Sequence, residues 1–258
     1  MRITILTLFP EMFDGFLNNS IIKRAISKGV VDFKIVNIRD YTQDKYGRVD
    51  SAPIGGGAGL IMKCQPVYDA IQDNKIPNQK VVLFTPRGKV YNQGKAREFA
   101  QNNQDLLLIC GHYEGIDERI NKHVDEMISL GDYVLTGGEL AAMIVSDSVT
   151  RLLKGAISEE SLENESFDNG LLEYPQYTEP YDFNGEKVPD ILYSGNHEVI
   201  EKYRKKQSLK LTKELRKDLF DKYQLSKQDK KLLDEIEKND ESPKWEQSAI
   251  EKAKKFIK

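Results

Sequence analysis

Two glycine-rich segments hold the residue types that could bring bare backbone against a ligand. The first, Asp50-Ser51-Ala52-Pro53-Ile54-Gly55-Gly56-Gly57-Ala58-Gly59, lacks the Gly-Lys-Ser/Thr ending of a phosphate loop and starts no complete GxGxxG. Two readings stay open for it: a plain hairpin or flexible loop, or a backbone surface that a ligand approaches closely. The second, Gly131-Asp132-Tyr133-Val134-Leu135-Thr136-Gly137-Gly138-Glu139, lies between a strand-like stretch and a helix. There Gly137-Gly138 would leave backbone N–H groups free at the helix start. Just upstream, in Cys110-Gly111-His112-Tyr113-Glu114-Gly115-Ile116-Asp117-Glu118-Arg119, an apolar run ends in glycine followed by aromatic and acidic groups. Open α/β sheets bind ligands beyond the carboxyl ends of their strands, and three such ends occur: Phe84-Thr85-Pro86, Gly111 and Leu130-Gly131. A pocket made from those three loops is expected. His112, His123 and His197 form no CxxC or HExxH pattern with Cys64 and Cys110, so no metal site is expected, and two cysteines are too few for a disulfide framework.

The elements that must position these residues are legible in outline. Apolar runs at Arg2–Leu8, Phe33–Ile38, Val81–Thr85, Leu106–Cys110 and Tyr133–Leu135 alternate with helix-like segments up to about residue 157, which suits an α/β fold with a parallel sheet. Helices are predicted at Pro10–Lys28, Pro66–Ile71, Asn92–Gln101 and Gly138–Leu153. In the last, Leu140, Met143, Ile144, Val149, Leu152 and Leu153 recur at near-helical spacing, predicting one buried face.

Charge is unevenly spread. The chain has 258 residues, 38 Lys+Arg and 41 Asp+Glu, a formal charge of -3 that by itself argues against a polyanion partner. Yet Glu159, Glu160, Glu163, Glu165 and Asp168 form an acidic stretch with no base, read as an exposed linker. From Lys202 to Lys217 eight bases meet only Glu214, a local charge of +7 on a helix that Asn196 can cap. With 39% hydrophobic residues the chain can bury a sizeable core. The run Ile3–Phe9 is far short of the roughly 20 residues a membrane span needs, and Arg2 and Glu11 flank it without a cleavage site. A soluble, cytoplasmic protein with no membrane partner is expected.

The segments Gly111–Arg119 and Gly131–Leu140 together resemble the bacterial tRNA (guanine-N1)-methyltransferase family, TrmD, of the SPOUT class. Supporting stretches are Leu8-Phe9-Pro10-Glu11-Met12-Phe13, the Gly55–Gly59 loop, Gly170-Leu171-Leu172-Glu173, Pro175-Gln176-Tyr177-Thr178 and Leu192-Tyr193-Ser194-Gly195-Asn196-His197. Each alone is weak; in order over roughly residues 1–225 they are specific. The resemblance implies a SPOUT domain (1–158) whose parallel sheet contains a deep trefoil knot, an acidic linker (159–172) and a small helical tRNA-binding domain (173–258). It also implies a homodimer with a shared active site, S-adenosylmethionine as cofactor, the tRNA anticodon stem-loop as partner and 1-methylguanosine at tRNA position 37 as product. Magnesium assistance is implied as family behaviour, without a recognisable protein site.

Carried over residue by residue, cofactor contacts would come from Phe84, Thr85 and Pro86, from Gly111, Tyr113 and Glu114, and from Leu130, Gly131, Tyr133, Val134, Leu135, Gly137 and Gly138. The family's base is an aspartate in Asp-Ser-Phe, which appears here as Glu165-Ser166-Phe167; Glu163 and Asp168 are the neighbouring candidates. Arg151 matches the arginine that steadies guanine O6. Substrate contacts would come from Asp50, Gly55, Gly56, Gly57, Gly59, Ser166, Arg204, Lys205 and Lys206. Further departures are Ala141, where a proline is common, and Glu179, where an arginine often precedes the proline. Two rival readings are a SPOUT enzyme modifying a ribose 2′-hydroxyl and a catalytically impaired RNA-binding SPOUT protein.

Overall fold

A computed structural model describes residues 1–102, 104–158, 165–167, 169–237 and 243–255. The chain divides into two compact units, Met1–Leu162 and Glu163–Lys258. Half of the expected acidic linker (159–172), with Glu163 and Asp168, lies outside the described residues.

The first unit is built on a five-stranded sheet of β1 (Arg2–Thr7), β2 (Asp32–Asn37), β5 (Lys80–Val90), β6 (Leu106–Ile109) and β7 (Glu126–Ser129). Their order is β2-β1-β6-β5-β7 and every neighbouring pair is parallel. The two-residue strands β3 (Asp50–Ser51) and β4 (Ile61–Met62) form a separate antiparallel pair. Helices are α1 (Asp14–Leu17), α2 (Ser20–Ser27), α3 (Cys64–Asn74), α4 (Gln93–Gln101) and α5 (Glu139–Thr150). The near-continuous apolar runs of β1 and β6 follow from burial on both faces. Side-chain alternation splits them between two layers: Ile3, Ile5, Val82, Leu106 and Leu108 pack with Phe13, Phe99, Val145 and Val149, while Leu6, Val81, Leu107 and Ile109 pack with Val67 and Ile71.

The sequence expectations need four corrections here. Tyr133–Leu135 is not a strand; β7 lies upstream, where Glu126 disguises an edge strand because Lys80 and Lys95 each reach it at 2.8 Å. The predicted helix Pro10–Lys28 is broken at Asn18 and Asn19, whose amides return to the Asp14 and Gly15 carbonyls, followed by Ser20 at φ 51. The helix predicted at Pro66–Ile71 is longer, because Pro66 falls in its first turn, where a missing N–H costs nothing. In α5 the buried face is Ala141, Ala142, Val145 and Val149, whereas Leu140 and Ile144 are each 48% exposed.

The second unit holds a hairpin of β8 (Asp182–Phe183) and β9 (Glu186–Lys187), then α6 (His197–Leu215), α7 (Lys217–Phe220), α8 (Lys227–Glu237) and α9 (Lys244–Ala253). Asn196 caps α6 by accepting from the Val199 N–H. Leu171, Leu209, Leu232 and Leu233 form its core, with Tyr223 and Trp245 against them.

Candidate active site

The inner part of β5, β6 and β7 end side by side, and their following loops enclose a cavity of about 420 Å³, within the roughly 300–1,000 Å³ of small-ligand sites. On β5 both Phe84 and Lys89 pair with Ile128, so Thr85–Gly88 is looped out of the sheet. The walls take in Phe84 at the strand end and Thr85 and Pro86 from that loop, Gly111, Tyr113 and Glu114 after β6, and Leu130, Tyr133, Val134, Leu135, Gly137 and Gly138 after β7. These are the expected cofactor positions, drawn from three loops far apart in sequence. Gly131 is the exception: it does not line the cavity, and its φ of 149 turns the chain out of β7. Arg87, His112, Ile116, Asn121, Thr136 and Ala141 line it too, which the sequence reading missed.

Close backbone packing holds the cavity together. The Gly138 N–H donates to the Gly111 carbonyl at 2.8 Å, and His112 bridges antiparallel to Gly137. A Cβ on Gly138 would stand 2.7 Å from Cys110 Cα and 3.0 Å from Gly111 N, so only glycine lets α5 start against the end of β6. Glu139, 2% exposed in the first turn of α5, accepts from Thr7 Oγ1 at 2.8 Å, and Thr7 Oγ1 accepts from the Phe9 N–H at 2.9 Å. A carboxylate there faces the positive helix end. The buried His112 Nδ1 has no hydrogen-bond partner among the described residues and, like Glu139 Oε2, stands beside Gly137. Thr7, Glu139 and His112 were not assigned from sequence; an acid heading an apolar helix was the only signal.

Neither thiol is set up as a nucleophile. Burial pushes Cys110 well up, with the Glu139 charge adding to it, and Cys64 is raised by burial and then by Asp117.

A second, more open cavity of about 820 Å³ shares Arg87, Glu114 and Ile116 with the first and takes in Ser51–Ile54, Lys63, Cys64 and Arg119. Asp50 begins the β3–β4 hairpin, whose connection holds Gly55, Gly56, Gly57 and Gly59 at φ 95, 87, 134 and 77. A Cβ on Gly59 would run into the Glu114 side chain, which places one end of this exposed loop at the first cavity's rim.

Arg151 is the half-buried C-cap of α5, its N–H bonded to the Asp147 carbonyl at 3.0 Å. Glu165 is half-buried and belongs to the second unit. It opens a tight loop in which Ser166 Oγ accepts from the Glu173 N–H at 3.0 Å and Phe167, at φ 71, donates its N–H to the Leu171 carbonyl at 2.9 Å. The Leu172 N–H ties that loop to Thr212 of α6 at 2.9 Å. The three expected phosphate cations are engaged within their own unit. Arg204 pairs with Glu201 at 2.7 Å and lies over Tyr174, Lys205 donates to Tyr223 at 2.9 Å, and Lys206 donates to Glu246 at 2.9 Å. The +7 window therefore overstates the charge that α6 presents. Among the described residues no group of three or more His, Cys, Asp or Glu side chains could hold a metal ion, so magnesium assistance has no support in the protein's own ligands. Among the described residues no helix is long and apolar enough to cross a membrane.

Residues 1–222 match the model of the family described as tRNA (Guanine-1)-methyltransferase TrmD. The chain is 56% identical over 223 residues to a tRNA (guanine-N(1)-)-methyltransferase of Malacoplasma penetrans, covering 86% of this chain and 98% of that protein. It is 56% identical over 235 residues to one from Clostridium perfringens, covering 90% and 99%, and 53% identical over 239 residues to one from Clostridium acetobutylicum, covering 92% and 98%. With a three-loop cavity at the strand ends and a match over most of its length, the chain belongs to the TrmD family of tRNA (guanine-1)-methyltransferases.

Proposed function

We propose that the protein methylates N1 of guanine 37 in tRNA, beside the anticodon, with S-adenosylmethionine as donor. The observation that carries this reading is the three-loop cavity, walled by the positions expected for the cofactor in a chain of this family. The cavity suits the group: the exposed rings of Tyr113 and Tyr133 offer stacking faces, Leu135 an apolar wall, and the tightly packed Gly137-Gly138 a backbone surface. When bound, S-adenosylmethionine supplies an electrophilic methyl group on a sulfonium.

The protein's own residues do the rest. Guanine N1 bears a proton and is a poor nucleophile, so Glu165 takes that proton as general base. Charge then gathers on O6, where the Arg151 guanidinium balances it. Glutamate in place of the family's aspartate shifts the carboxylate by about a bond length, an error that can cost roughly 100-fold unless the loop that carries Glu165 sets it back by that length. A splayed loop base is read on its edges, with Asp50 and the Gly55–Gly59 loop taking the neighbouring guanine. Arg204, Lys205 and Lys206 contact anticodon-stem phosphates. The working form is a cytoplasmic homodimer with a shared site and a trefoil-knotted sheet. The exposed Val134, Leu140 and Ile144 support an apolar subunit contact beside the cavity.

Nucleoside mass spectrometry of unmodified tRNA incubated with protein and S-adenosylmethionine tests the reading. Appearance of 1-methylguanosine is expected; a 2′-O-methylnucleoside or no methylated product would remove it.

A further inference from the structure

Outside the cavity, the basic stripe of α6 is covered by groups of the same unit. Lys202, Lys206 and Lys213 fall on one helix face, with buried Leu209 between them. Each meets a group from the chain's last two helices. Lys202 Nζ sits 4.0 Å from the centre of the Trp245 ring. Lys206, whose side chain is 12% exposed, donates to Glu246 at 2.9 Å and lies 3.6 Å from Glu235. Lys213 pairs with Glu237 at 2.6 Å. The Trp245 Nε1 in turn donates to Glu235 at 3.3 Å, joining the two helices over the stripe. Both α8 and α9 lie beyond residue 222, where the family match ends.

We propose that α9 occupies in cis a phosphate-binding stripe of α6, and that the tRNA backbone displaces it by taking over Lys202 and Lys206. This rests on tRNA being the substrate. Carboxylates and an aromatic face are the groups that RNA phosphates and bases would replace on these cations. The Lys206 and Glu246 side chains are only 12% and 14% exposed, so leaving the lysine unpaired would be costly; the exchange is feasible because a phosphate oxygen takes the place of the carboxylate and counterion release adds to the gain. The cover then penalises loose polyanions, which must outcompete it, more than a tRNA anchored elsewhere.

Trp245 is the only tryptophan in the chain, so its emission reports α9 directly. In the full-length protein, adding unmodified tRNA should shift that emission to longer wavelength and increase its quenching by acrylamide. Glu246→Gln should bind the same tRNA about 3- to 10-fold more tightly at low salt, with a log K against log salt slope steeper by up to about one phosphate contact. Glu251→Gln removes the same charge from an exposed position on α9 and should bind as the wild type does; circular dichroism verifies that both variants stay helical. Wild-type protein that binds tRNA with Trp245 unmoved, or equal effects of the two substitutions, overturns the cover and leaves the tRNA reading intact. No tRNA binding by the wild type overturns both.

Discussion

Gly138→Ala isolates the contact on which the cavity depends. Gly138 has φ -83 and ψ -6, a negative-φ conformation that alanine is allowed, so the cost of the substitution is mainly steric. The added methyl would lie 2.7 Å from Cys110 Cα, and reaching an ordinary separation of about 3.7 Å requires a shift of about 1 Å between α5 and the end of β6. The same shift stretches the Gly138–Gly111 hydrogen bond from 2.8 Å to about 3.8 Å, past its useful range. Losing that bond costs about 1 kcal/mol and overpacking about 1–3 kcal/mol more, a total of about 2–4 kcal/mol. A displacement of about 1 Å in a wall of the cavity should also weaken S-adenosylmethionine by roughly 10- to 100-fold. Urea unfolding and isothermal titration calorimetry measure the two effects. Gly111→Ala is the control: its Cβ would meet Ile116 at 3.5 Å, an ordinary contact, so stability should change by less than about 1 kcal/mol. If Gly138→Ala matches Gly111→Ala in unfolding midpoint and retains wild-type cofactor affinity, the steric reasoning is wrong.

Glu126→Gln should destabilise the first unit by about 1–2 kcal/mol at neutral pH, since the carboxylate is ion-paired with Lys80 and Lys95 in a partly screened cluster. Burial acts to raise its pKa, but the two lysines bring it net below the usual range. Because the folded value is depressed, this stability is complete above the unfolded pKa near 4.3 and fades as pH falls through the folded value. Unfolding curves of wild type and variant should therefore converge in acid, and a gap that widens there contradicts the assignment. Leu108→Ala removes a fully buried strand residue and should cost about 2–5 kcal/mol in urea unfolding; a loss below 1 kcal/mol would mean the two-layer core is misplaced. Glu165→Gln should abolish turnover while cofactor affinity survives, and full activity would move the base to Glu163 or Asp168.

The legible parts of the sequence were those whose signal is local. Ile3–Leu6 and Leu106–Ile109 read as strands because both of their faces are apolar, and the strand ends at Thr85-Pro86, Gly111 and Leu130-Gly131 marked the three loops that do enclose the cavity. β7 was hidden because the partners that neutralise Glu126 come from other elements. Glu139 was opaque for the same reason: its hydroxyl partner, Thr7, is 132 positions away. The basic window of α6 was correctly seen as a cluster, but its covering acids, Glu235, Glu237 and Glu246, lie on later helices that a running charge sum treats separately. Of the expected catalytic pair, Arg151 falls at the end of α5 and Glu165 opens a hydrogen-bonded loop.

Reverse transcription across tRNA treated with the protein and S-adenosylmethionine locates the product at single-nucleotide resolution, because a methyl group on guanine N1 blocks its pairing edge. A new arrest is expected immediately 3′ of guanine 37, absent without S-adenosylmethionine and absent with Glu165→Gln protein. Uninterrupted extension through guanine 37, or an arrest at another nucleotide, would contradict N1 methylation of that guanine.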